Sequence, residues 1–232
     1  MSIRRSFKTF LWNHLVSGIQ DGLATQRLRS LISDGPYIPW SDSALSATAV
    51  STVLNDIVIN DRSTIVECGG GVSTLFIGSL LKQQGETRKQ LYTIEHDEEW
   101  MEILESMVDD HGISEWVTIL YAPLRETSLS WNGEEWYSTT AIGSSLDQVV
   151  VDLLLIDGPP AYRAGASHSR YPAVPFFKEM MCDKCCIVLD DINRPAEREI
   201  AQDWERELGI SFQERLLKGN ISVGVRGEAF TV

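Results

Sequence analysis

Apolar runs of strand length alternate along this chain with segments whose apolar residues recur every three or four positions. "TIVEC" (64–68) precedes a helical pattern from about Ser73 to Lys82, and "LYTIE" (91–95) precedes "EEWMEILESMV". In the latter, Trp100, Ile103, Leu104, Met107 and Val108 keep helical spacing, which predicts a core-facing stripe. "VTILY", "VDLLLID", a helix near Phe176 to Met181, "CIVLDD" and "PAEREIAQDWEREL" continue the alternation, with Pro195 placed like a first-turn helical proline. Strands flanked by helices in this order predict an α/β fold, a parallel sheet covered on both faces. The last two runs, "SFQERLL" and "ISVGVRG", are separated only by Lys218, Gly219 and Asn220, too short for a parallel crossover, so they should form an antiparallel hairpin.

An open parallel sheet binds ligands beyond the carboxyl ends of its strands. The chemistry-bearing residues sit there: Glu67 to Gly71, Glu95 to Asp97, Asp157 to Pro160 and Asp190 to Asn193 each follow an apolar run. Glycines between a first strand and a helix let a ligand approach the backbone and the helix amides. Thr74 stands where a dinucleotide fingerprint needs its third glycine. Glu95 ends the next strand, where a carboxylate accepts hydrogen bonds from both hydroxyls of a ribose. Glu67 would repel a pyrophosphate and suits a cationic ligand.

With 232 residues, 43% of them hydrophobic, the chain is expected to form one large domain, residues 35–232, preceded by an N-terminal helical segment, residues 1–34. The net charge of −13 argues against a nucleic-acid partner. No run approaches the length of a membrane span and the N-terminus lacks the apolar core of a signal peptide, so the expected location is cytoplasmic. Cys68, Cys182, Cys185 and Cys186 suit reduced buried thiols, and the lone Cys182/Cys185 pair lacks further ligands at zinc spacing. Phe7, Leu11, Leu15 and Ile19 fall on one helical face, predicting a helix packed on its own domain or on a second subunit, with a membrane-surface helix as the alternative.

The motif "VECGGGVST" resembles the first motif of the class I S-adenosylmethionine-dependent methyltransferases, and "YTIEHD" resembles their acidic motif after the second strand. "LLLIDGPP" and "IVLDD" look like their fourth and fifth strands, and the terminal hairpin like their sixth and seventh. The resemblance covers roughly residues 35 to 226 and implies a Rossmann-like, doubly wound, mostly parallel seven-stranded sheet. It implies S-adenosylmethionine as cofactor, held by Glu67, Gly69, Gly71 and Ser73 in the loop and by Glu95 at the ribose. Adenine contacts are expected after "VTILYAPL".

Methyl transfer to oxygen needs an aligned acceptor and a way to remove its proton, by a general base or a bound divalent cation. Asp157, Asp190 and Asp191 offer oxygen ligands suited to Mg²⁺, and here the chain resembles the metal-dependent O-methyltransferases of the catechol and macrocin types. Asp191 stands where the catechol type has an amide. Without a metal, His168 in "AYRAGASHSRYPAVP" is the leading base, beside Asp157. Asp190, Asp191 and Asn193 also suit helix capping before Pro195. Trp131, Trp136 and Tyr137 in "LSWNGEEWYSTT", and the segment "PYIPWSDSALSA", are placed to wall or close a pocket. "DGPPAY" differs from the tight Asn/Asp-Pro-Pro-aromatic motif of amino-methylating relatives, so oxygen is the expected acceptor, on a small hydroxylated metabolite or sugar. The competing readings are an NAD-dependent oxidoreductase on a Rossmann-type fold and a non-catalytic cofactor-binding protein. A homo-oligomer is compatible with all three.

Overall fold

The computed structural model describes residues 3–33, 35–41 and 43–230, with the side chains of Trp12 and of residues 15 onward. Helix α1 (Ile3–Leu28) and a 3₁₀ turn (Arg29–Leu31) lead to α2 (Ala47–Ile59). There follow β1 (Thr64–Cys68), α3 (Val72–Gln84), β2 (Gln90–Glu95), α4 (Glu98–Asp110) and β3 (Val117–Tyr121). A two-residue ribbon, β4 (Leu124–Arg125) with β5 (Trp136–Tyr137), precedes α5 (Thr139–Ser145). The chain closes with β6 (Val151–Ile156), α6 (Ala173–Phe177), β7 (Met181–Leu189), α7 (Pro195–Leu208), β8 (Phe212–Arg215) and β9 (Ile221–Val225).

Seven strands form one sheet in the order β3-β2-β1-β6-β7-β9-β8, all running in the same direction except β9, which is antiparallel to both its neighbours. This is the expected Rossmann-like architecture with its C-terminal antiparallel hairpin. The order reverses between β1 and β6, and the crevice at that switch point is where such sheets hold ligands. Alternation along the strands separates two cores. Ile65, Leu153, Leu155 and Val188 pack under α1 to α4, and Val66, Ile94, Leu154, Ile156 and Ile187 pack under α5 to α7.

Register places the functional strand ends at one level. Cys68 pairs with Ile94 on one side and Ile156 on the other, and Ile156 pairs with Leu189. The next residues, Gly69, Glu95, Asp157 and Asp190, therefore form a row at the carboxyl edge. Hydrogen bonds tie that row down: Gly69 N–H donates to Ile94 O, Asp157 N–H to Cys68 O and Asp190 N–H to Ile156 O, at 2.9 to 3.0 Å.

Several sequence expectations change. The helix near Phe176 to Met181 lies earlier, at Ala173–Phe177, because Met181 already pairs with Val151 in the sheet. Helix α2 has apolar residues on several faces and is buried at Ala47, Ala49, Val50, Val53, Leu54 and Ile57, so its periodicity does not announce it. In α4, Leu104 and Val108 are buried, but Ile103 is half exposed. Among the described side chains of α1, Ala24 and Leu28 enter the core, whereas Leu15 and Ile19 are 61% and 63% exposed. Phe7 and Leu11 lie outside the described side chains. Asp21 links α1 to α2 by accepting from the Thr48 amide at 2.9 Å.

Candidate active site

A cavity of about 340 Å³ opens at the switch point, lined by Gly69 to Ser73, Glu95, Tyr137 and Asp157, and by Pro39, Ser41 and Ser43 to Leu45. Larger depressions of 1020 and 460 Å³ lie between α1 and β8 and beside His111, away from the row of strand ends.

The three glycines divide the work. Gly69 has φ +92°, and a Cβ there would lie 2.9 Å from the backbone nitrogen of Gly158, so the loops after β1 and β6 cross in direct contact. At Gly158 a Cβ would lie 2.2 Å from the Tyr137 hydroxyl, which accounts for the glycine in "DGPP". At Gly71 a Cβ would meet nothing within 4 Å, and this residue faces the cavity. The first glycine serves the fold and the third leaves space.

Glu67 is fully buried and does not line the cavity. Its Oε2 accepts from the hydroxyls of Thr74 (2.6 Å) and Thr93 (2.8 Å), and Thr74 Oγ1 in turn accepts from the Gly71 amide (3.0 Å). The carboxylate thus braces the glycine loop from behind. Its Oε1 makes no hydrogen bond of ordinary geometry among the described residues. Burial pushes the Glu67 carboxyl up to about 7, against the pull of the Ser73, Thr74 and Thr93 hydroxyls.

Glu95 stands at the cavity wall. Oε2 accepts from the Gly70 amide (3.2 Å), and Oε1 accepts from the amides of His96 (2.6 Å) and Asp97 (2.9 Å) and lies 2.8 Å from His96 Nδ1. Burial raises its proton affinity, but the His96 ring and these amides outweigh it and hold the carboxyl below its usual range. A fixed, ionised carboxylate at this strand end can accept from a vicinal diol. The Trp100 ring beside it donates to Gly70 O at 2.8 Å. The expected adenine region after β3 does not line the cavity; Pro39, Ser41 and Ser43 to Leu45 do.

Asp157, Asp190 and Asp191 converge, with one oxygen of each within 4.8 Å of the others. Arg170, from the loop after β6, lies among them, 3.3 Å from Asp157 Oδ1 and 3.1 Å from Asp191 Oδ2. Asp191 adopts φ +61°, a left-handed conformation that aspartate tolerates better than most residues. Burial raises the Asp157 carboxyl above the usual range, opposed by Arg170 and assisted by Asp191.

His168 is not brought to this cavity. Its Nε2 is 2.8 Å from Glu199 Oε2, its amide donates to Glu134 Oε2 at 2.6 Å, and its ring stacks on Trp131 with centroids 4.6 Å apart. The capping expectation also changes: Arg194 is the N-cap of α7 without a side-chain bond, and Asn193 exchanges hydrogen bonds with Asn220 in the hairpin turn.

Tyr137, expected to wall a pocket, does line the cavity, whereas the place of Arg170 among the three acids escaped the sequence reading. Tyr137 is fully buried, lines the cavity, and has a hydroxyl without a partner among the described residues. The signal for Tyr137 was the glycine in "DGPP", whose missing side chain makes its room.

The sheet order, the glycine loop after β1 and the acid after β2 define a methyltransferase-type Rossmann-like fold. The chain belongs to the family described as "Methyltransferase domain", which it matches over residues 66–192. Solved structures share the fold at low identity. A protein assigned as a caffeoyl-CoA O-methyltransferase from Staphylococcus aureus is 10% identical with a TM-score of 0.59, covering 97% of this chain and 100% of its own. The O-methyltransferase TomG from Streptomyces achromogenes, in complex with SAM, is 12% identical (TM-score 0.56; 82% and 92% covered). An O-methyltransferase from Bacillus cereus, in complex with SAH, is 15% identical (TM-score 0.55; 89% and 90% covered). A curated relative, "Kaurene synthase like 2, chloroplastic" from Isodon rubescens, is 32% identical over 98 residues, 40% of this chain and 12% of that protein's length.

Proposed function

We propose that the protein is an S-adenosylmethionine-dependent O-methyltransferase acting on a small hydroxylated acceptor, a metabolite or sugar. One observation carries this reading. Glu95, Asp97 and Asp157 line the cavity, and none of its described lining residues is Lys or Arg. A sulfonium and an amino group suit such a wall, whereas the pyrophosphate of a dinucleotide would meet unbalanced repulsion. The SAM- and SAH-bound neighbours of the same fold support it.

In this mechanism Glu95 holds the ribose hydroxyls and the loop from Gly69 to Ser73 borders the methionyl part. Bound S-adenosylmethionine would supply an activated methyl group for in-line transfer to the acceptor oxygen, with the neutral thioether as leaving group. The hydroxyl proton passes to Asp157, whose proton affinity burial has raised into a range useful for a base. The unpartnered Tyr137 hydroxyl orients the reacting groups. His168, committed to Glu199 and Trp131, is not assigned the proton.

No described helix is long and apolar enough to cross a membrane; we place the protein in the cytoplasm, a reading the four free cysteines support. The net charge of −13 supports a small-molecule acceptor over nucleic acid. Homo-oligomerisation through the exposed Trp12, Leu15, Ile19 and Leu23 of α1 is our reading of that face, and light scattering should show a smaller species for Leu15→Glu/Ile19→Glu.

Calorimetric titration with S-adenosylhomocysteine, with NAD⁺ and NADH as controls, tests the cofactor. Binding of the homocysteine nucleoside alone is the expected result, followed by a radiolabelled-methyl screen of hydroxylated acceptors. Nicotinamide binding without it would overturn the proposal, and cofactor binding without any transfer would favour the non-catalytic reading.

A further inference from the structure

The guanidinium of Arg170 is bonded on every side that faces the strand ends. Nη2 donates to Asp157 O (2.6 Å), Nη1 to Asp190 O (3.3 Å) and Nε to Pro159 O (3.3 Å). Nη2 and Nη1 also face the carboxylates of Asp157 and Asp191 at 3.3 and 3.1 Å, and the whole side chain is 4% exposed. Arg194 adds a second guanidinium to Asp191 at 2.9 Å.

A Mg²⁺ or Ca²⁺ ion between β6 and β7 would bind through carboxylate and carbonyl oxygens. Apart from the Asp190 carboxylate, the oxygens that converge there, on Asp157 and Asp191 and on the backbone of Asp157 and Asp190, are ones Arg170 already holds. The ion would have to expel a buried guanidinium, whose departure strands three carbonyls, or bind beside it against like charge. Two guanidinia already offset most of the charge of three carboxylates, and arginine does not lose its proton. The donor set does not fit a free divalent cation while Arg170 is in place.

We propose that Arg170 is the resident cation of this cleft: it takes the place of a divalent metal among Asp157, Asp190 and Asp191, and the native protein binds no such ion there. Arg170 is then a positioning residue, which holds Asp157 at the cavity wall. The acceptor is aligned without a metal bridge.

The test is made on the full chain without acceptor or cofactor, so its outcome is independent of the methyltransferase reading. Wild type and Arg170→Ala are titrated with Mg²⁺ and Mn²⁺ by calorimetry, and with Tb³⁺ by luminescence. The wild type should show no saturable uptake up to about 1 mM, and Arg170→Ala should bind one ion at least about tenfold tighter, an effect lost on adding Asp191→Asn. Arg170→Gln, which removes the charge but keeps hydrogen-bond donors, serves if the alanine variant does not fold. The proposal is overturned if the wild type takes up one Mg²⁺ or Mn²⁺ below about 1 mM and loses it in Asp191→Asn, or if folded Arg170 variants bind no ion. Should neither variant fold, the wild-type titration decides alone, uptake against the proposal and none in its favour.

Discussion

The two halves of the cleft use the same residue type to opposite ends. At the half proposed to hold the cofactor, Glu95 is held by amides and the His96 ring, so its charge is kept, and among the described residues no guanidinium neutralises it. At the other half, Asp157 and Asp191 are ion-paired with Arg170. An amide-held carboxylate remains available to accept from a ligand, whereas an arginine-held one is oriented and largely offset. The partner, more than the acid, decides the role.

The largest expected effect comes from breaking the second half. Asp157→Asn keeps the shape and removes the proton acceptor, so kcat should fall roughly 10²- to 10⁴-fold. Calorimetry with S-adenosylhomocysteine should show unchanged affinity; a parallel loss of binding would place Asp157 in cofactor recognition instead.

Glu95→Ala strikes the first half. Losing two charge-assisted hydrogen bonds to a ribose should weaken S-adenosylhomocysteine binding about 100-fold or more, with Glu95→Gln intermediate. A titration in which both variants bind like wild type would move the ribose elsewhere.

Glu67 sharpens the contrast because it does not line the cavity and among the described residues no guanidinium pairs with it. Its folded carboxyl titrates near 7 against an ordinary 4.5, so between these values the folded protein holds a proton that the unfolded chain has released. Stability therefore falls as pH rises across this window, and above it the folded state bears the full cost of a buried charge. Glu67→Gln should match wild type below the window and exceed it by up to roughly 3 kcal/mol at pH 8 in urea denaturation. Equal gains at both pH values would mean the carboxyl is not what titrates.

The smallest effects separate two neighbours. Gly69→Ala forces a side chain into φ +92° against Gly158 and should cost about 1–3 kcal/mol of stability. Gly71→Ala meets open space and should leave stability within about 0.5 kcal/mol, while weakening cofactor binding by roughly tenfold. Thermal denaturation beside calorimetry reads both.

Much of the fold was legible because each strand ends in a chemically distinctive residue, and because a helix of amphipathic period follows most strands. Glu95 and the glycine loop were legible for the same reason: their roles depend on position along one strand-loop-helix unit. Tyr137 was legible only as one of three pocket-wall candidates, and the place of Arg170 among the acids was not legible, since each reaches the site from a connecting segment whose path is set by packing. Tyr137 is buried beside the Gly158 backbone, and Arg170 folds back thirteen residues onto Asp157. His168 illustrates the converse, a promising residue in the right loop whose ring stacks on Trp131 and turns to Glu199.

By itself the sequence determined the alternation of strands and helices, the antiparallel ending and the acids that follow the strands, because period and turn chemistry act over a few residues. Only the tertiary structure decided which acid is neutralised, which glycine is needed for the fold and which leaves space, and which aromatic hydroxyl meets the cavity. Those outcomes depend on distances between segments far apart in the chain, and local pattern carries no record of them.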